Sequence, residues 1–122
     1  MKQKLVIDGR LPGLNEMTKS NRTNKYAGNE EKQLYTNLVA QYCKIQKLMP
    51  FEKKIDVEFM WYCKDKRRDK DNIMAGQKFI FDGLTVAGII KNDGWGEIGK
   101  IAHDFEIDKE NERIEVMMIE RI

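Results

Sequence analysis

KIDVEFMWYC, residues 54–63, alternates apolar and polar side chains over most of its length. Side chains two residues apart in an extended chain lie on the same face, so the branched and aromatic residues of this stretch share one face. These residues are Ile55, Val57, Phe59 and Trp61. The alternation predicts a half-buried β-strand, and a sheet built around that strand determines the class of fold.

The segments on both sides of this strand are expected to supply two helices and three further strands. Asn29 is predicted to cap a helix that Pro50 ends, and a second helix is predicted from Asp71 or Asn72 to about Ala87. The other predicted elements are a strand at 4–9, a long loop at 11–29, strands near 96–107 and 112–120, and a hairpin-like turn at 108–111. The order β-α-β-α-β-β predicts one α+β (α/β-like) domain, residues 1–122, with two main helices against a small mixed sheet.

Length and composition argue against several classes of protein. The 122 residues suffice for one domain with a hydrophobic core. No run of about 18 apolar residues occurs, and the first ten residues lack the apolar core and cleavage site of a signal peptide. Cys43 and Cys63 have no CxxC spacing, so a zinc site is not expected. Both cysteines are predicted to be reduced core residues of a cytoplasmic protein.

Charge is distributed unevenly along the chain, although the net charge is only +2. Residues 1–54 contain 11 Lys and Arg against 5 Asp and Glu, whereas residues 55–122 contain 11 against 15. The first part is therefore basic and the second part acidic. This asymmetry favours an anionic partner at one surface and a carboxylate-rich site at another.

The charged run after the central strand contains RRDKDN, residues 67–72, in which Asp69 and Asp71 stand two positions apart among cations. A solvated charge run is one interpretation. The other is a carboxylate pair for a divalent cation, since Mg²⁺ typically takes one or two carboxylates together with waters and substrate phosphate. On this second interpretation, the neighbouring cations hold a polyanion around the metal. They are Lys66, Arg67, Arg68 and Lys70.

The second predicted helix carries further charges near this pair. Asp71, Lys78 and Asp82 lie on one stripe of the helix, and Asp93 follows in the turn after it. If the helix folds back beside the strand, the four aspartates, including Asp69, are expected to converge around a cation, because unscreened carboxylates would repel one another. Lys78 and Asp82 alone also fit an ordinary surface ion pair.

The segment RRDKDNIMAGQKFIFDGLTVAGIIKND, residues 67–93, resembles the RusA family of Holliday junction resolvases. Members of that family carry an arginine-rich stretch, Asp-x-Asp-Asn, Lys-x-x-x-Asp-x-Leu, Ala-Gly and a closing Asp-Asp turn. The matching residues are Asp69, Asp71, Asn72, Lys78, Asp82, Leu84, Ala87, Gly88, Asn92 and Asp93. The early segment LPGLNEMTKSNR, residues 11–22, is similar to the family's Pro-x-x-Asn loop and its following arginine, so the resemblance covers nearly the whole chain.

The sequence departs from the family pattern at two places. The spacing between Asp71 and Lys78 is longer by about three residues, close to one helical turn. Asn92 stands where the family has the first aspartate of its closing pair, so only Asp93 offers a carboxylate from that turn.

The resemblance implies a homodimeric, Mg²⁺-dependent endonuclease, with Mn²⁺ as an alternative ion, that resolves four-way DNA junctions in recombination and repair by symmetric strand cleavage. It implies a bacterial or phage-encoded protein of the host cytoplasm. Asp69, Asp71 and Asp93 would be the metal ligands, and Lys78 would be the catalytic cation near the scissile phosphate. Asp82 would orient Lys78, and Asn72 would support the ligands. The expected DNA contacts are Lys19, Arg22, Lys25, Lys66, Arg67, Arg68 and Lys70.

Three alternatives remain at this point: a non-catalytic module that binds junctions or single strands, a less selective flap or fork nuclease, and a small nucleotide phosphohydrolase. The last lacks a Gly-rich phosphate loop. His103 is predicted to be a strand residue. Most aromatic residues are expected in the core, and Trp95, between Gly94 and Gly96, is the candidate for contact with the junction centre.

Overall fold

A computed structural model describes residues 1–122 as a four-stranded sheet with four helices. The elements in chain order are β1 (Lys2–Asp8), α1 (Leu14–Thr23), α2 (Lys25–Ile45), β2 (Ile55–Cys63), α3 (Lys70–Met74), α4 (Gln77–Val86), β3 (Ile98–Ile107) and β4 (Arg113–Glu120). The predicted α+β class is confirmed. None of the helices combines the length and the apolar character that crossing a membrane requires.

The sheet is mixed, as the sequence predicts, and its strands are arranged β1-β4-β2-β3. β2 pairs in parallel with β3 and antiparallel with β4, and β4 also pairs antiparallel with β1. The connection from β2 to β3 passes through α3 and α4, as parallel strands require a crossover. β3 is consequently an edge strand.

The core lies on the helix-covered side of the sheet, and β2 is at its centre. The alternating apolar residues of β2 are buried, which confirms the period-two interpretation of that strand. The neighbouring strands and α4 contribute the other large buried side chains. These include Leu5, Ile7, Phe79, Ile80, Leu84, Val116 and Met118. Cys43 and Cys63 are free and buried, in agreement with their prediction as core residues, and burial raises the pKa of the Cys43 thiol to about 11.

The predicted loop at 11–29 was wrong, because most of it is helical. α1 occupies residues 14–23, and α2 begins at Lys25 rather than after Asn29. The residue that caps α2 is Asn24, whose side chain accepts a hydrogen bond from the Ala27 N–H at 2.6 Å. Thr18 and Thr23 satisfy their hydroxyls on backbone carbonyls four residues back, so hydroxyl side chains are accommodated within the helix.

The single helix predicted from about 71 to 87 is two helices, α3 and α4, separated at Ala75 and Gly76. Gly76 is buried here, and a Cβ at its position would lie 3.3 Å from both Leu11 and the Trp61 ring. The close approach of these two neighbours explains why position 76 carries no side chain.

The predicted hairpin between the last two strands was also wrong. β3 does not pair with β4, because β2 lies between them and pairs with both. Residues 108–112 therefore carry the chain past the end of β2, from the sheet edge to an inner position. Asp108 turns this segment, since its carboxylate accepts hydrogen bonds from the Glu110 and Asn111 N–H groups.

Candidate functional site around Lys78

Lys78 lies between two of the predicted aspartates. Its ammonium is 3.2 Å from an Asp82 carboxylate oxygen and 3.7 Å from an Asp93 oxygen. The side chain of Lys78 is 53% exposed, so the three groups form a cluster on the surface rather than a buried network. Helical spacing makes the contact with Asp82, and the turn after α4 brings Asp93 to the same point.

The two carboxylates keep Lys78 protonated. Its pKa is raised, first by the hydrogen bond to Asp82 and further by the attraction of both carboxylates. An ammonium has three N–H donors, and two carboxylate contacts leave one available for another anion. Lys78 is therefore a permanent, exposed cation with capacity to bind an external oxygen.

A groove connects Lys78 with the first two helices. It is lined on the α1 side by Ser20 and Asn21 and on the α2 side by Glu31 and Lys32, with Lys78 on the α4 side. Ser20 donates a hydrogen bond to Glu31, which joins α1 to α2 across the groove floor. The cluster thus lies beside the helix pair that carries the basic first part of the chain.

Asp69 and Asp71 are exposed at the start of α3, and neither is among the carboxylates that pair with Lys78. They follow the C-terminal end of β2, whereas Asp93 precedes the N-terminal end of β3. Asp93 nevertheless reaches the first turn of α4, where it contacts Lys78. The structure contains no group of three or more His, Cys, Asp or Glu side chains placed to hold a metal ion. The expected convergence of four aspartates is not observed.

Asn72 performs a role that the sequence did not reveal. It is only 8% exposed, and its side-chain oxygen accepts a hydrogen bond from the Asn15 N–H at 2.9 Å. Gly13, which precedes α1, has no side chain to cap the helix, so Asn72 supplies that acceptor from α3. A Cβ at position 13 would lie 2.6 Å from the same oxygen, which explains the glycine.

His103 lies in β3, as predicted, and connects the sheet to the start of α4. Its Nδ1 accepts a hydrogen bond from the Trp61 indole at 2.9 Å, so Nε2 carries the proton and donates to the Gln77 side chain at 2.8 Å. The ring stacks on Phe59. This network holds Gln77, the residue before Lys78, against the sheet, and no sequence motif indicates it.

The cations predicted from the early segment lie together on helical surfaces. Lys19 and Arg22 are exposed on α1, and Lys25 is exposed at the first turn of α2. Lys19 and Arg22 share one face of α1 with Leu14, Asn15 and Thr18. The sequence predicted these residues on a loop, and the helical placement of Lys19 and Arg22 gives those two a common orientation.

The cations around Asp69 differ from one another in what they contact. Lys66 is exposed, and Arg67 is exposed with its guanidinium 3.8 Å from Asp65. Arg68 is half-buried and donates to the Leu11 carbonyl at 3.3 Å, so it joins this loop to the segment before α1. Lys70 lies over the Phe105 ring at 5.3 Å.

Trp95 is 93% exposed in the turn that also carries Asp93, so it is available for contact with a partner. It borders a shallow groove with Asp93, Ile98 and Ile101. No protein-family model matches the chain, and the comparison with curated proteins found no match either.

Proposed function

We propose that this chain is a Mg²⁺-dependent, structure-specific DNA endonuclease that acts as a homodimer and resolves four-way junctions in the cytoplasm. The proposal rests on the resemblance of residues 67–93 to the RusA family and on one structural observation. That observation is the exposed Lys78 ammonium between Asp82 and Asp93, beside a groove that leads to the basic helix α1.

Lys78 supports this proposal by its charge and its position. A cation that remains protonated can neutralise the negative charge that builds on a phosphate during strand cleavage. The Asp82 carboxylate, 3.2 Å from the ammonium, would hold Lys78 in position as an ion pair. The exposure of the cluster leaves room for a backbone phosphate to approach, and DNA binding depends on such phosphate contacts.

The exposed cations of α1 and α2 extend the proposed contact surface. Lys19, Arg22 and Lys25 would bind phosphates outside the reaction centre, and Lys66 and Arg67 would do the same near Asp69. Arg68 and Lys70 already have intramolecular contacts with Leu11 and Phe105, so their contribution to DNA binding would compete with those contacts.

The acidic residues of this chain meet only part of what a Mg²⁺ site requires. Asp69, Asp71 and Asp93 provide the oxygen ligands that Mg²⁺ prefers, yet no three such side chains converge in the chain by itself. For this reason no catalytic step is assigned to the metal. The chain's own residues are assigned binding and orientation of the phosphate, through Lys78 and the basic helices.

Cleavage of a synthetic immobile four-way junction tests the proposal. We expect the unmodified chain to cut the junction symmetrically with Mg²⁺ and to leave it intact in EDTA. Lys78→Gln should lower the cleavage rate by about 100-fold or more, the range found when a group that stabilises transition-state charge is removed. Asp71→Asn should also abolish cleavage.

Lys91→Gln is the matched control, because it removes an equally exposed lysine near Asp93 that has no ion pair in the structure. It should cut at close to the normal rate. Retained cleavage by Asp71→Asn would exclude Asp71 from the site, and equal loss in both lysine variants would show that charge alone matters. Three-way and duplex substrates at equal salt distinguish a junction resolvase from a flap or fork nuclease.

A binding module without catalysis is the second candidate, and the absence of three acidic side chains placed to hold a metal ion favours it. Such a module would bind four-way junctions equally well with Mg²⁺ and with EDTA and would produce no cut strand under either condition. The same junction assay therefore decides between the two functions.

A further inference from the structure

β3 is a ten-residue edge strand whose outer edge has no partner within the chain. The strand pairs only with β2, so its other edge offers backbone N–H and C=O groups to another strand. The Phe105 N–H donates to the Asp104 carboxylate at 2.9 Å and would exchange that bond on pairing. It contains no proline, and its single irregularity lies near Ile98, before the regular stretch that begins at Ile101. Such an edge readily accepts an additional strand.

The helix-facing side of β3 is only partly covered. Ile101 is 43% exposed and Ile107 is 41% exposed, although both lie in register with buried residues of β2. Phe105, between them, is half-buried and has the Lys70 ammonium above its ring. Exposed Trp95 continues this apolar strip beside Ile101. Apolar side chains grouped at an unpaired edge indicate a surface that another strand covers.

We propose that β3 pairs antiparallel with β3 of a second copy of this chain, with His103 on the twofold axis. Directly opposed residues of neighbouring antiparallel strands point to the same face of the sheet, and this register meets that condition. It places Ile101 opposite Phe105 of the second copy on the helix-facing side. On the other side it places Lys100 opposite Glu106, and symmetry creates each pair twice.

Charge and apolar complementarity favour the register centred on His103 over the adjacent register, which is centred on Ala102. Centring the pairing on Ala102 would set Lys100 against Asp104, which is also favourable. It would, however, set apolar Ile101 against His103 and would match Phe105 with Gly99. The register centred on His103 pairs Ile101 with Phe105 and Lys100 with Glu106, and it leaves small Ala102 opposite Asp104. Both sheets then join into one continuous sheet of eight strands.

The exposed edge and side chains of β3 support the dimer interface directly. The role of this dimer in placing two cleavage sites on one junction rests on the proposed function. A twofold dimer presents two identical sites related by symmetry, as two symmetric cuts require. The mass of the protein in solution and its nuclease activity are separate measurements. A dimer that cuts no junction contradicts the proposed nuclease alone, and a cutting dimer that both charge variants leave unchanged contradicts this interface alone.

Sedimentation equilibrium of the full chain over a range of concentrations tests the interface. We expect a dimer, and we expect Lys100→Glu or Glu106→Lys alone to raise its dissociation constant about tenfold or more, because each creates two like-charge pairs. The double variant Lys100→Glu/Glu106→Lys should restore the dissociation constant. Lys44→Glu, on exposed α2, is the matched control and should leave it unchanged.

A chain that remains monomeric at every concentration overturns the proposal, as does a dimer that both single variants leave unchanged. Restoration by Lys100→Glu/Asp104→Lys, in place of the first double variant, overturns the register and centres it on Ala102. Circular dichroism of each variant confirms that the fold is retained. A dimer that does not cut junctions contradicts the proposed function and leaves this interface intact.

Discussion

His103 shows how one side chain can make stability depend on pH. Burial lowers the pKa of its imidazole below the usual 6.5, and protonation of Nδ1 would oppose the Trp61 N–H that it now accepts. In the unfolded chain the same imidazole takes up its proton near the usual pKa. The folded state is therefore favoured while the ring is neutral, and this contribution is lost as the pH falls below about 6.5 through the folded pKa.

We expect the urea midpoint of unfolding to be lower at pH 5.5 than at pH 7.5. The chain contains one histidine, and carboxylates with lowered pKa values, such as that of Glu115, titrate below this interval. His103→Gln, which cannot take up a proton, should show the same midpoint at both values. Equal midpoints for the unmodified chain would contradict the assignment.

Among single residues, Asn72 occupies a position in a motif but has a structural role that the motif does not indicate. Its place after Asp71 resembles a position in a catalytic pattern, yet its oxygen caps α1 through the Asn15 N–H. The Lys78–Asp82 contact, by contrast, follows directly from helical spacing and is observed. Contacts within one helix turn could be predicted from the sequence, whereas a cap supplied from 57 residues away could not.

At the level of elements, α2 and α4 pack closely at Gly83. A Cβ on this residue would lie 2.5 Å from the Val39 side chain and 3.0 Å from the Thr36 carbonyl oxygen. Val39 is completely buried and β-branched, so it has little freedom to move aside. The absence of a side chain at position 83 therefore sets the separation of the two helices.

Gly83→Ala should lower the free energy of unfolding by about 1–2 kcal/mol. The crowding of a packed core typically costs about 1–3 kcal/mol, and the better helix propensity of alanine returns up to about 1 kcal/mol. Gly96→Ala is the control, because nothing lies within 4 Å of a Cβ there. Equilibrium urea unfolding measures both variants, and a more stable Gly83→Ala would disprove the close contact.

Helix α1 is an element that local sequence patterns do not predict. Its sequence is rich in Asn, Ser and Thr, which favour helix caps and turns, and none of its residues is buried. It forms because α2 and α3 hold it, through the Ser20–Glu31 and Asn72–Asn15 hydrogen bonds. Those partners come from other parts of the chain, so a window of local sequence contains no sign of them.

In the whole molecule, the basic first part of the chain presents exposed cations on α1 and at the start of α2. Exposed Lys19, Arg22 and Lys25 lie close in sequence on α1 and the first turn of α2, and Lys19 and Arg22 share a face of α1 whose residues do not line the groove at Lys78. Arg22→Gln/Lys25→Gln should weaken junction binding and reduce the slope of log K against log salt by about 1 to 2, since each lost phosphate contact lowers it by roughly 0.9. Competition binding over a salt series measures the slope.

Lys44→Gln/Lys53→Gln removes the same charge from exposed positions elsewhere and should leave that slope unchanged. An identical slope for the Arg22/Lys25 double variant and the unmodified chain would remove α1 and the start of α2 from the DNA contact. A drop of equal size in both double variants would mean that the net charge, and not this surface, determines binding.

By itself, the sequence determined the α+β class, the four strands, the buried face of β2 and the contact of Lys78 with Asp82. The period of the apolar residues indicates which face of a strand or helix is buried, and the spacing along a helix indicates which side chains are neighbours. The tertiary structure decided the position of β4 between β1 and β2, the helical state of residues 14–23 and the absence of a group of three acidic side chains placed to hold a metal ion. These features depend on which distant segments pack together, and the pairing of β2 with both β3 and β4 is what rules out the hairpin that the sequence predicts between the last two strands.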